Sequence, residues 1–147
     1  MAYNITIPSL QDFRHHEPVQ LRFNDIDVLG HLNNTVYFSL FDTGKALYMK
    51  EVGLRKSGQS RPDTVIANIN CTYLKPVVYD DSIFVLTRCS NIGSKSYTLQ
   101  QLLVDADGDV RAMCETVMVR FDQTTGQTTE VTAEERRMIE EYENRTR

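Results

Sequence analysis

Val19, Leu21 and Phe23 alternate with Gln20, Arg22 and Asn24 in "VQLRFN", the period-two pattern of a strand with one buried face. From Asn34 the period lengthens. Val36, Tyr37, Leu40, Phe41, Gly44, Leu47 and Tyr48 recur at helical spacing and Phe38 widens the stripe, so a helix is predicted from Asn34 to about Lys50. So broad a stripe belongs to a helix that is wrapped, and Gly53 supplies its stop. Four strand-like runs follow: "TVIANINCTYL", with Val65, Ala67, Ile69, Cys71 and Tyr73 on one face, the more evenly apolar "SIFVLTRCSNI", then "SYTLQQLLVD" and "VRAMCETVMVRF". Asp107-Gly108 between the last two predicts a type I′ hairpin turn, in which both central residues need positive φ. Asn91-Ile92-Gly93-Ser94 predicts a second turn, and Lys75-Pro76 ends the first long run.

The tail "VTAEERRMIEEYENR" sets Glu135 three residues after Thr132, a capping-box spacing. Met138, Ile139 and Tyr142 form its one apolar edge, Glu141 and Arg145 an i,i+4 ion pair, and the other charges read as a solvated face. At the other end, "SLQDFRHH" has room for one helical turn within an N-terminal arm. Adjacent His15 and His16 point to different sides of any regular element and have no third ligand nearby, so they read as surface histidines and not as a metal site. The expected divisions are an arm over 1–17, a main domain over 18–131 and a C-terminal helix over 132–147. Strand, buried helix, four antiparallel strands and outer helix together predict an α+β fold: an antiparallel sheet of about five strands around one long central helix, plus a peripheral C-terminal helix. One helix covers little more than one side of such a sheet, so pairing with a second copy is expected.

Composition narrows the function classes. A chain of 147 residues suits one domain with a real core. No apolar run approaches a membrane span, and "MAYNITIPSLQDF" lacks a basic stretch followed by an apolar one, so neither a membrane partner nor a secretory signal is expected. Cys71, Cys89 and Cys114 are odd in number and without close spacing, which fits reduced thiols in a cytoplasm. A net charge of −4 argues against nucleic acid as a partner.

The densest chemistry lies in "DIDVLGHLNN", between the first strand and the helix. A helix start leaves backbone N–H groups unpaired at the positive end of the dipole, and either a side-chain cap or a substrate oxygen can meet them. An aspartate a few residues upstream, Asp25 or Asp27, could face the same carbon from the other side, as acyl transfer requires. The same residues also suit plain turn and cap chemistry, with Asn33 as cap and His31 as a brace. Both readings fit the spacing.

The run Arg22-Phe23-x-Asp25-x-Asp27-x-x-Gly30-His31-x-Asn33-Asn34-x-x-Tyr37 resembles the signature of the 4-hydroxybenzoyl-CoA thioesterase family, acyl-CoA thioesterases with the hot-dog fold. The resemblance continues through "TYLKPVVYDDSIFV", "NIGSKSYTL" and "DGDVRAMCETVMVRFD", over roughly residues 18–131. It implies a hot-dog fold and hydrolysis of acyl-CoA to acid and CoA without metal or cofactor. It implies Asp27 as catalytic carboxylate, nucleophile or general base, and the Asn34 N–H as the site for the thioester oxygen. His31 joins them as a catalytic candidate, and with Asn33 it matches the acyl-chain branch of the family. Tyr37 would line the acyl pocket or pack beneath the loop, and Lys95, then Lys75 and Arg88, would meet the CoA phosphates. The resemblance further implies homodimers or tetramers with each site between subunits. There are departures: Leu29 stands where plant acyl-ACP thioesterases carry asparagine, and the helix acid is Asp42 where relatives often have Glu. A non-catalytic acyl-binding module and an acyl-ACP thioesterase are the alternatives; hydratase chemistry ranks below them, because its flanking motif is absent.

Overall fold

The computed structural model describes residues 4–55 and 63–144. A 3-10 turn at Leu10–Asp12, capped by Ser9, leads into strand β1 (His15–Val19), and a second 3-10 turn (Phe23–Asp25) precedes helix α1 (Val36–Val52). Strands β2 (Thr64–Tyr73), β3 (Ile83–Ile92), β4 (Ser96–Asp105) and β5 (Val110–Asp122) follow, then a two-residue strand β6 (Gln127–Thr128) and helix α2 (Ala133–Glu143). All pairings are antiparallel and the sheet order is β1-β3-β4-β5-β2, with β6 on the end of β5. The strand expected over Val19–Asn24 is displaced toward the N-terminus: residues 15–19 pair with β3, because Arg22 and Asp25 close a turn where the alternation continued.

The α1 stripe is buried at Tyr37, Leu40, Phe41, Gly44, Lys45, Tyr48 and Val52, and Gly53 ends the helix at φ 101°. Gly44 lets the helix touch the sheet, since a Cβ there would overlap Val85 Cγ1. Strands β3 and β4 are evenly apolar because both faces are covered. Ile83, Val85 and Leu103 pack toward α1, while Leu86, Leu102 and Val104 pack outward against Phe13 and Leu10 of the N-terminal arm.

Three other expectations change. His15 is buried, edge-on to Tyr48 at 5.8 Å with Nε2 3.4 Å from Glu51, and of the pair His16 alone is exposed. The Asp105–Asp109 connection is not type I′: among the described residues only glycines have positive φ, and Gly108 at 82° follows an ordinary turn as a bulge residue. Helix α2 has its capping box, Thr132 Oγ1 accepting from Glu135 N–H and Glu135 Oε1 accepting from Thr132 N–H. Its charges are not all solvated, however, since Glu143 accepts from the Tyr48 hydroxyl at 2.9 Å and Glu135 pairs with Arg120. Arg145 lies outside the described residues, and Glu141 pairs instead with Arg137. Among the described residues no helix is long and apolar enough to cross a membrane.

Candidate active site

The two aspartates before α1 do different work. Asp25 is 2% exposed, and its carboxylate accepts from Arg22 Nε and Nη2 at 3.2 and 2.9 Å and from the Arg22 backbone N–H at 2.8 Å. The guanidinium holds the Asp25 carboxyl below the usual carboxylate range, and the Asp25 carbonyl receives the Asn33 N–H at 2.9 Å. Asp25 staples the loop.

Asp27 opens a D-x-x-G turn. Its carbonyl accepts from Gly30 N–H at 3.0 Å, its N–H donates to His31 O at 3.0 Å, and its Oδ1 accepts from Leu29 N–H at 2.9 Å, with Gly30 at φ 81°. The hairpin at Asp105 repeats every one of these bonds: Gly108 to Asp105 O, Asp105 to Asp109 O, and Asp107 to Asp105 Oδ1, with Gly108 at φ 82°. The difference lies in the second carboxylate oxygen. Asp105 Oδ2 is neutralised by Arg111 Nη2 at 2.7 Å, whereas Asp27 Oδ2 has no partner among the described residues.

At the helix start, Asn33 Oδ1 accepts from the Thr35 N–H at 2.9 Å and the Thr35 hydroxyl at 2.7 Å, and Asn33 O accepts from Val36 N–H. Asn34 keeps its N–H uncommitted among the described residues, while its carbonyl accepts from the Tyr73 hydroxyl at 2.9 Å. The uncommitted N–H sits at the positive end of a 17-residue helix.

Asp27, His31, Asn34, Tyr37 and Lys75 line one cleft of about 410 Å³, whose remaining wall is Leu29, Leu32, Tyr73, Leu74 and Pro76. Tyr37 and Tyr73 meet edge to face at 4.8 Å. Burial, ahead of the neighbouring Cys71, pushes both phenols up, Tyr73 to about 12, so both stay neutral. Lys75 Nζ is held by both oxygens of Asp109 at 2.9 Å, so a phosphate reaching it must compete with that pair.

Three predicted residues stand apart from the cleft. The Asn33 side chain is committed to capping. Lys95 lies in the β3–β4 turn with its carbonyl on Arg120 N–H, toward the end of β5 remote from Ala112, the residue opposite Tyr73. Arg88 lies over Phe13 on the outer face and pairs with Asp12. Sequence reasoning missed Leu29, Leu74 and Pro76 as cleft walls; the strand-ending Lys75-Pro76 was the available signal. Among the described residues no group of three or more His, Cys, Asp or Glu is arranged to hold a metal.

Comparisons with known proteins agree with this geometry. The family model of the thioesterase-like superfamily matches residues 21–138. Bacillus subtilis (strain 168) YsmA is 28% identical over 127 residues, covering 86% of each chain. A thioesterase from Thermus thermophilus, solved with coenzyme A and zinc, superposes with a TM-score of 0.80 at 26% identity, over 93% of this chain and all of its own. A mutant 4-hydroxybenzoyl-CoA thioesterase, complexed with 4-hydroxybenzoyl-CoA, shares the fold at 18% identity, with a TM-score of 0.74 over 84% of this chain and 96% of its own. With the curled sheet, the central helix and the cleft at its start in place, the chain belongs to the thioesterase-like superfamily of hot-dog proteins and is a thioester hydrolase.

Proposed function

We propose that the chain hydrolyses acyl-CoA thioesters, R–CO–S–CoA and water giving the carboxylic acid and CoA, in the cleft headed by Asp27. One observation carries the reading: a carboxylate oxygen and a helix-start N–H, both uncommitted among the described residues, border the same largely apolar cleft. An acyl carbon between them meets a base or nucleophile on one side and a donor for its oxygen on the other.

On the general-base route Asp27 takes a proton from water as the water oxygen bonds to the acyl carbon. The carbonyl oxygen becomes an oxyanion facing the Asn34 N–H, and collapse breaks the C–S bond. The departing thiolate takes up the proton that Asp27 holds. On the nucleophilic route an Asp27 oxygen forms the bond to carbon and the C–S bond breaks, water then hydrolyses the anhydride to the acid and the Asp27 carboxylate, and the proton released goes to the thiolate. In either case the Leu29 N–H on Oδ1 fixes how the carboxylate faces the substrate. His31 orients substrate at the mouth, Tyr37 and Tyr73 wall the acyl group, and Asn33 shapes the helix start. Lys75 meets CoA at the rim, and Lys95 would serve it from a neighbouring subunit.

The outer edge of β2, unpaired among the described residues, supports self-association. Leu74 N–H bonds to Arg111 O, so by antiparallel alternation the backbone groups of Ile69, Cys71 and Tyr73 face away from β5. Val65 and Ile66 are exposed on this strand, an arrangement suited to pairing with a second copy. The three free cysteines suit a reducing cytoplasm.

The test is thiol release across short, long and aromatic acyl-CoAs by wild type and Asp27→Asn. Turnover of at least one ester by wild type and its loss in the variant is the expected result. Tight binding of these esters without CoA release overturns hydrolysis in favour of an acyl-binding module.

A further inference from the structure

Arg111, on β5, is outside the residues that line the cleft, yet its guanidinium is the hub of the charged groups beside it. Nη1 donates to Pro76 O at 2.7 Å and to Asp81 Oδ2 at 2.9 Å, and Nη2 donates to Asp105 Oδ2 at 2.7 Å. Its Nε is buried without a hydrogen bond among the described residues, with Asp109 Oδ2 3.8 Å away. Through its backbone the same residue takes the Leu74 and Lys75 N–H groups on its carbonyl. Asp81 Oδ2 in turn accepts from Val78 N–H at 2.9 Å. From Leu74 to Val78, therefore, the connection after β2 is tied at four residues to Arg111 or its partner Asp81.

That connection is the cleft wall, since Leu74, Lys75 and Pro76 all line it. It also holds the opposite side. Val77 is fully buried, and its carbonyl accepts the Leu32 N–H at 2.7 Å, inside the loop that presents Asp27. Leu32 is moreover the bridge partner of Ile26, which closes the Asp27 turn. A continuous path of hydrogen bonds and adjoining backbone thus runs from the guanidinium through Pro76 and Val77 to Leu32 and the Asp27 turn.

We propose that Arg111 is a positioning residue for thioester hydrolysis, setting the spacing between the Leu74–Val78 wall and the Asp27 loop. The role rests on the hydrolase reading above, but the placement it describes is measurable without turnover. A planar fork reaches Pro76 O, Asp81 and Asp105 together, whereas one ammonium cannot. Charge alone is not enough.

The experiment compares wild type, Arg111→Lys and Asp81→Asn, the last weakening only one anchor of the fork in case the lysine variant fails to fold. Amide exchange is followed residue by residue, and kcat and KM are measured with hexanoyl-CoA and benzoyl-CoA at matched folded fraction. The expected result is a Leu32 amide that exchanges at least tenfold faster in Arg111→Lys, with protection in the centres of β3 and β4 unchanged. kcat per folded molecule falls at least tenfold and KM moves less than threefold, with smaller changes in the same direction for Asp81→Asn. Unchanged Leu32 protection, or a uniform loss of protection throughout the sheet, overturns the positioning role. So does kcat per folded molecule within twofold of wild type. A wild type inert on every ester while Leu32 responds as expected overturns the hydrolase reading, and the catalytic consequence of the placement with it.

Discussion

The Tyr73 hydroxyl donates to the Asn34 carbonyl oxygen at 2.9 Å, tying edge strand β2 to the turn that begins α1. The Asn34–Thr35 peptide unit that carries this carbonyl lies within the turn proposed to receive the thioester oxygen, so the bond fixes the direction of nearby donors. A net contribution of about 1 kcal/mol is ordinary for such a bond. Tyr73→Phe keeps the edge contact with Tyr37 and should lower kcat about fivefold at nearly constant KM. Steady-state kinetics on the best acyl-CoA substrate checks this.

Asp27→Asn retains a side-chain oxygen for the Leu29 N–H, so the D-x-x-G turn should survive. Thermal unfolding should match wild type while kcat falls about 10²–10⁴-fold, the usual share of a positioned base. Asp105→Asn should by contrast act on stability. It weakens the bond to Arg111 Nη2 and should lower the melting temperature.

Gly44→Ala puts a methyl group against Val85 Cγ1 and 3.0 Å from Gln101 Nε2, where α1 packs on the sheet. Overpacking of this kind costs about 1–3 kcal/mol. Chemical denaturation should show a lower midpoint at unchanged m-value, and an unchanged midpoint would mean the helix shifts freely.

Acid should unfold the protein through three carboxylates. Hydrogen bonds from Arg22 hold Asp25 down, the Val78 N–H and Arg111 hold Asp81 down, and Arg111 holds Asp105 down. A depressed folded pKa adds stability that is complete above the unfolded value of about 3.9 and fades as pH falls through the folded one. Melting temperature should therefore be flat with respect to these groups above about pH 5 and drop below about pH 4. Asp25→Asn should flatten part of that drop.

Ile66 is 48% exposed on β2, beside its outer edge. Ile66→Lys places a charge there, a device that blocks strand-to-strand pairing. Light scattering should give a multiple of the 16.9 kDa chain mass for wild type and a shift toward the single chain for the variant. Identical masses would place the contact elsewhere.

The local half of this protein was legible in its residues. The α1 stripe, the Gly53 stop, the Thr132–Glu135 cap and the order of strands follow from periodicity and chain stereochemistry, interactions that reach only a few positions. The concentration of candidate groups between Asp25 and Tyr37 was readable for the same reason. Whether β1 began at His15 or Val19 was not, because both stretches can extend and only pairing with β3 decides. His15 is buried by Tyr48, a partner thirty-three positions away. Likewise, two D-x-x-G turns fold alike, and one carboxylate is neutralised only because Arg111 arrives from the next strand. Sequence determined which backbone shapes form; the tertiary structure decided which of their polar groups meet a partner, since a charge is silenced or left for chemistry by what packs against it.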